Sequence, residues 1–283
     1  MEKQSNVGIC ELCGNEAVLQ DSHFIPKAIY KKFSNIKEKG TSLYLMNNGE
    51  SFPLSTQIKA HKFCSKCEGL FSKNGEQYFI DNALYQRALI SEEQYSQKPE
   101  NERRFKSYQE YIKNNIPYLV RFFIENIGYT TNIIEYIKPA LSETEIDSLC
   151  YFAISIFWRG SLQWAIKPQY NLPNDVLREM KDYLLQKNKN ITTFVIKIDI
   201  SPPCYYVSGV NFPAKIRDDL YRFSIDSFIF TLEILTRPSS NGEYLLFGFN
   251  FPIAKSNFEN FKRLFDKSEK KGNVPDELHY LKK

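Results

Sequence analysis

Apolar positions change period along the chain. From Arg103 to Tyr129 they fall at Phe105, Tyr108, Tyr111, Ile112, Ile116, Leu119, Phe122, Phe123 and Ile127, a helical spacing interrupted by Pro117. Ser142-Glu-Thr-Glu145 is a capping box, in which a serine side chain accepts from the third helical amide and the glutamate reaches back. It predicts a helix to about Trp164 with apolar residues on nearly every side, hence a central buried one. Arg159 near its end then needs a carboxylate or carbonyl partner, as a buried clamp or, alternatively, as a phosphate ligand. Pro173 to Lys187 reads as an amphipathic helix. Beyond Ile191 the runs 192–200, 204–207, 221–225, 228–235 and 244–249 are short and rich in β-branched and aromatic residues, which predicts an antiparallel sheet of about four or five strands. A final helix over Ser256–Phe265 and a polar tail complete the chain.

The first third is less regular. Lys27–Phe33 reads as a short helix, Ser42–Met46 as a strand, and Asn47-Asn48-Gly49 as a hairpin turn. Glu68–Phe79 suits a helix despite Gly69 and Gly75, and Asp81–Leu89 continues or restarts it. The polar stretch Ser91–Asn101 reads as a loop and a boundary. Three regions follow: 1–90, a helical 91–190, and a β region 191–283 with a C-terminal helix. The fold class expected is α+β.

With 283 residues, 42% hydrophobic and 15% aromatic, the chain has the composition of a globular protein with a full core. A net charge of +4 is compatible with nucleic acid as partner but does not require it. No signal peptide is visible, and the apolar run Tyr151–Trp158 is far short of the roughly 20 residues of a membrane span. A cytoplasmic protein without membrane attachment is expected.

Four of the six cysteines form two Cys-x₂-Cys pairs, Cys10/Cys13 and Cys64/Cys67, the ligand set of a closed structural zinc site. A first knuckle, an insertion, and a second knuckle leading into a helix is the layout of a treble-clef finger. His61 stands close to Cys64, but four thiolates leave it a surface or outer-shell place. Cys150 and Cys204 sit in apolar runs and read as buried thiols. Lys27, Lys31 and Lys32 belong to a local basic patch, suited either to phosphate contacts or to a solvated face.

Between the knuckles lies Ser22-His23-Phe-Ile-Pro26-Lys27. Together with the Cys pairs this segment resembles the zinc-bound HNH (His-Me finger) nucleases, with their Cys-x₂-Cys, Asp-His-Ile-Ile-Pro and Leu-Cys-x₂-Cys-His motifs. It is more similar still to a bacterial group with Ser-His-x-Ile-Pro-Lys, Cys-x₂-Cys-Glu and a later Phe-x₂-Ser-x₂-Trp-Arg, matched here by Phe152–Arg159. The resemblance implies a metal-dependent endonuclease acting on nucleic acid, DNA before RNA, with defence against foreign DNA as the expected setting. In such an enzyme His23 is the general base, zinc is scaffold, and a separate Mg²⁺ or Mn²⁺ assists catalysis. Two positions depart from the nuclease pattern: Ser22 stands where an acidic residue precedes the histidine, and Glu68 where a histidine follows the second knuckle. Glu68 and Glu76 are the carboxylates available instead; eight residues apart on a helix, they differ by about 80° around its axis. Asn47 or Asn48 is a candidate for the middle residue of an HNH site. The alternative is a non-catalytic zinc-finger module that binds nucleic acid or protein, with His23 as a buttress.

Overall fold

The computed structural model describes residues 6–36, 44–47, 50–53, 57–85, 92–103, 105–127, 140–164, 170–201, 209–237 and 245–248, with 252–256, 258–259 and 263. The chain begins with the antiparallel strands β1 (Val7–Ile9) and β2 (Glu16–His23), joined through the first Cys pair. Helix α1 (Lys27–Ile36) and the hairpin β3 (Tyr44–Asn47) and β4 (Glu50–Pro53) follow, and then β5 (Lys59–Cys64) returns to pair with β2. The second Cys pair leads directly into α2 (Ser65–Phe71). A single π turn over Ser72–Glu76 connects α2 without a break to α3 (Gln77–Ala83).

The polar stretch expected as a loop contains the short helix α4 (Glu92–Ser96) and a 3₁₀ turn at Glu100–Glu102. Pro117 divides the next helical run into α5 (Tyr108–Asn115) and α6 (Tyr118–Ile127), since a proline cannot donate in the helix ladder. Helix α7 (Glu143–Gly160) starts at the capping box: Ser142 N–H donates to Glu145 Oε2 at 2.9 Å, and Glu145 N–H to Ser142 Oγ at 3.4 Å. Every residue of α7 from Leu149 to Gly160 is buried, Ser155 included. Helix α8 (Asn174–Leu184) packs on it.

The last third supplies β6 (Phe194–Ile200), β7 (Val210–Arg217), β8 (Leu220–Ile225), β9 (Phe228–Ile234) and β10 (Leu245–Gly248). The sheet is larger than expected, with seven strands in the order β10-β6-β9-β8-β7-β3-β4. Its centre is antiparallel, but β10 lies parallel to β6 and β3 parallel to β7. The hairpin inserted between the Cys pairs is thus an extension of the C-terminal sheet. The run expected at 204–207, with Cys204, lies outside the described residues, as does most of the expected last helix; residues 252–256 are helical.

Helix α7 is sandwiched between the α2–α3 unit and the sheet. Phe79 of α3 stacks on Phe152 of α7 at 4.1 Å and meets Phe228 and Phe230 edge-on at 5.6 Å. Phe152 and Phe157 in turn contact Phe223. Residues from all three sequence regions belong to one buried cluster, so the segment with the two Cys pairs is backed by the shared core. None of the described helices is long and apolar enough to cross a membrane.

Candidate functional site

The four cysteines converge. The Sγ atoms of Cys10, Cys13, Cys64 and Cys67 all lie within 4.8 Å of one another, and Cys13 Sγ is 3.9 Å from Cys64 Sγ. Four sulfurs about 2.3 Å from one tetrahedral ion stand roughly 3.8 Å apart, so the set fits a metal ion such as zinc. Local backbone geometry makes the knuckle: Gly14 takes φ 77°, which its missing Cβ permits, and its N–H donates to Cys10 O at 2.8 Å. Burial acts to raise the Cys10 thiol, but backbone donors from Cys13, Cys64 and Leu12 hold it below the ordinary value. The Cys64 N–H reaches Cys10 Sγ at 3.4 Å. His61 is not a member of this set. Its Nδ1 faces Leu19 O at 3.3 Å and its Nε2 faces Asn6 Nδ2 at 2.9 Å, which fixes Nδ1 as the protonated nitrogen.

A cavity of about 180 Å³ is lined by His23, Lys27, Glu68, Ser72, Glu76 and Arg159, among others. His23 ends β2 opposite Lys59 of β5, just after a register shift between Leu19 and Asp21. Such an irregularity bends a strand and re-aims its side chains. Alternation then divides the segment by face. Ser22 is buried, accepting from Phe63 N–H and donating to Gln20 O, both at 3.2 Å. It ties β2 to the second knuckle and does not line the cavity. His23 is half-buried on the cavity side. Burial lowers its pKa below the ordinary 6.5, and Lys27 and Lys59 add to this, while Asp21 and Gln57 oppose it. Burial thus favours the neutral imidazole, the form able to accept a proton.

The two carboxylates differ in their partners. Glu76 Oε1 accepts from Arg159 Nη2 at 2.6 Å, with the Arg159 side chain only 1% exposed. Burial pushes the Glu76 carboxyl up, and the guanidinium opposes that shift. Glu68 Oε1 is buried without a hydrogen-bond partner among the described residues. The π turn brings the two closer in azimuth than a regular α-helix does. Gln77 N–H bonds to Ser72 O, five residues back, so each residue of that turn advances less around the axis. Even so, among the described residues only the four cysteines bring three or more potential ligand atoms into one metal-sized cluster. His23, Glu68 and Glu76 share a cavity without forming such a cluster.

Of the basic residues expected to meet phosphate, Lys27 lines the cavity. Lys31 is exposed and not among the lining residues. Lys32 donates to Ile80 O at 3.1 Å, tying α1 to α3, and burial lowers its pKa. Asn47 is the last residue of β3, and Asn48 lies outside the described residues. Ser72 and Gln77 also line the cavity and had no signal of function in the sequence; Ser72 opens the π turn and Gln77 begins α3 just after it. Comparison of the chain with protein-family models, curated proteins and solved structures finds no match.

Proposed function

We propose that the chain is a metal-dependent phosphodiesterase of the HNH type that cleaves nucleic acid, DNA in the first instance. The reading rests on one observation: His23, Glu68 and Glu76, selected by their places around the two knuckles, line a single cavity that also holds Lys27 and Arg159. The hairpin knuckle, the second knuckle and α2 have the layout of a treble clef, and zinc on the four cysteines is its structural ion.

A half-buried neutral imidazole takes a proton from water, and the hydroxide so formed attacks phosphorus as the bond to the leaving oxygen breaks. Lys27 stands at the cavity to meet a phosphate oxygen. Glu68, with an unpartnered carboxylate oxygen, is the residue that would hold Mg²⁺ or Mn²⁺. Such ions commonly use one or two carboxylates and complete their shell with water and substrate phosphate. The ion would neutralise charge on the leaving oxygen. Glu76 is engaged by Arg159, and so serves the site from below.

The test is incubation of the zinc-loaded protein with plasmid and linear DNA in Mg²⁺ or Mn²⁺, with His23→Ala as control. Metal-dependent cleavage that disappears in the variant, at unchanged melting temperature, is the expected result. Nucleic-acid binding with no cleavage by the wild type would instead identify a non-catalytic finger, a reading favoured by the Arg159 claim on Glu76.

A further inference from the structure

We propose that Arg159 is a positioning residue of the cavity, setting the spacing between the strand that carries His23 and the helix that carries the carboxylates; this rests on the hydrolytic reading above. The side chain enters from the end of α7 and divides its donors between two elements. Nη1 donates to Phe24 O at 3.1 Å, and Nη2 donates to Glu76 Oε1 at 2.6 Å. Phe24 is bonded directly to His23, so one arm of the guanidinium holds the peptide next to the base. The other holds the π turn.

The guanidinium is itself fixed. Its carbon lies 4.2 Å from the centroid of Phe71 and 5.9 Å from that of Phe63, so aromatic faces support the plane. The Arg159 carbonyl accepts from Trp164 Nε1 at 2.8 Å, and Trp164 meets the ring of Phe24 edge-on at 5.3 Å. Phe24 stacks from another side on Phe212 of β7 at 4.8 Å. The peptide beside His23 is thus tied both to α7 and to the large sheet, with Arg159 as the polar link. A planar fork measures the distance between a carbonyl and a carboxylate, which the single point charge of lysine cannot do. A buried ion pair is also weak evidence of stabilisation, since apolar residues of similar volume often do as well. What the pair contributes here is geometry.

The experiment compares the full-length zinc-loaded wild type with Arg159→Lys and Phe71→Leu, the latter removing the supporting ring while leaving both hydrogen-bond partners in place. Hydrolysis of bis(4-nitrophenyl) phosphate with Mn²⁺ gives kcat and KM, and the His23 ring-proton NMR signal, assigned with His23→Ala, reports on the imidazole directly. Arg159→Lys is expected to lower kcat at least 100-fold with KM changed less than threefold, and to shift the His23 signal while that of His61 stays. Phe71→Leu, the milder change, is expected to lower kcat about tenfold and shift the same signal. Either variant, folded, with an unchanged His23 signal and kcat within threefold of wild type overturns the proposal. If the wild type hydrolyses nothing, the hydrolytic reading fails by itself, and an unmoved His23 signal in the variants still overturns the positioning role.

Discussion

Gly75 in the π turn approaches the backbone of Phe152 in α7 so closely that a β-carbon on it would stand 2.6 Å from the Phe152 nitrogen and 2.9 Å from its Cα. The obstacle is main chain within the buried part of α7, which cannot swing aside as a side-chain tip can. Gly75→Ala is therefore expected to destabilise the protein despite the better helix propensity of alanine, by about 3 kcal/mol, the upper end of the usual cost of overpacking. Denaturant titration measures this. A variant as stable as wild type would show that the π turn and α7 are not in this contact. Gly69, with nothing within 4 Å of the same construction, is the control: Gly69→Ala should be neutral or slightly stabilising.

The cysteine cluster predicts one tightly bound metal ion per chain. Elemental analysis should find about one zinc, and Cys13→Ser or Cys67→Ser should reduce it to near zero. Structural zinc binding is worth roughly 10–16 kcal/mol in small fingers, as large as the whole stability of a typical domain. Chelation should accordingly unfold β1, β2, β5 and α2 first, which hydrogen exchange would register as loss of protection in residues 6–23 and 57–71. Metal retained after loss of a cysteine would exclude that residue as a ligand.

The parts of this fold that were legible in the sequence are those whose cause is local. The Cys-x₂-Cys pairs brought four sulfurs together, the capping box started α7 where its side chains dictate, and the need of a buried arginine for partners was met by Glu76 and Phe24. What was hidden depends on residues far apart in the chain. Strand β7 contains Pro213 and ends in charged residues, which obscured its pattern. Its register with β8 shifts between Asn211 and Ala214, and that irregularity accommodates a residue without an amide donor. The docking of β3 on β7 is a long-range pairing with no local signature. The π turn was equally invisible, because it reflects the fit of Gly75 against Phe152 and not the propensity of Ser72–Glu76. At the site, the sequence brought His23 and the two glutamates to one place, but it did not distinguish a carboxylate bound to Arg159 from one with an unpartnered oxygen.

Glu145 carries a pH dependence with a defined sign. Burial acts to raise its pKa, but the Ser142 side chain and amide, with the hydroxyls of Tyr78 and Tyr118, hold the carboxyl below its ordinary 4.5. A carboxylate with a depressed folded-state pKa contributes stability that is present above 4.5 and lost as pH falls through the folded value. Glu145→Gln should cost about 1 kcal/mol at pH 7, in the range of a lost helix cap. The difference from wild type should shrink as the pH drops below 4.5. A constant difference across that window would show that the charge is not what caps α7.

The last expectation concerns the rate profile of His23. Removal of the general base should lower kcat/KM by a factor of about 10²–10⁴. Only the neutral imidazole accepts a proton, so activity should fall as pH drops through the pKa of His23. Burial holds that pKa below 6.5, which places the acid limb below pH 6.5. The neighbours then set the direction of each shift. Lys27 and Lys59 lower the His23 pKa, and Asp21, itself paired with Lys59 at 2.5 Å, raises it. Lys27→Gln should move the acid limb to higher pH and also raise KM, because the same ammonium meets phosphate. Asp21→Asn should move the limb to lower pH. An acid limb indifferent to both substitutions would mean that the titrating group is not His23, and the base would have to be sought elsewhere in the cavity.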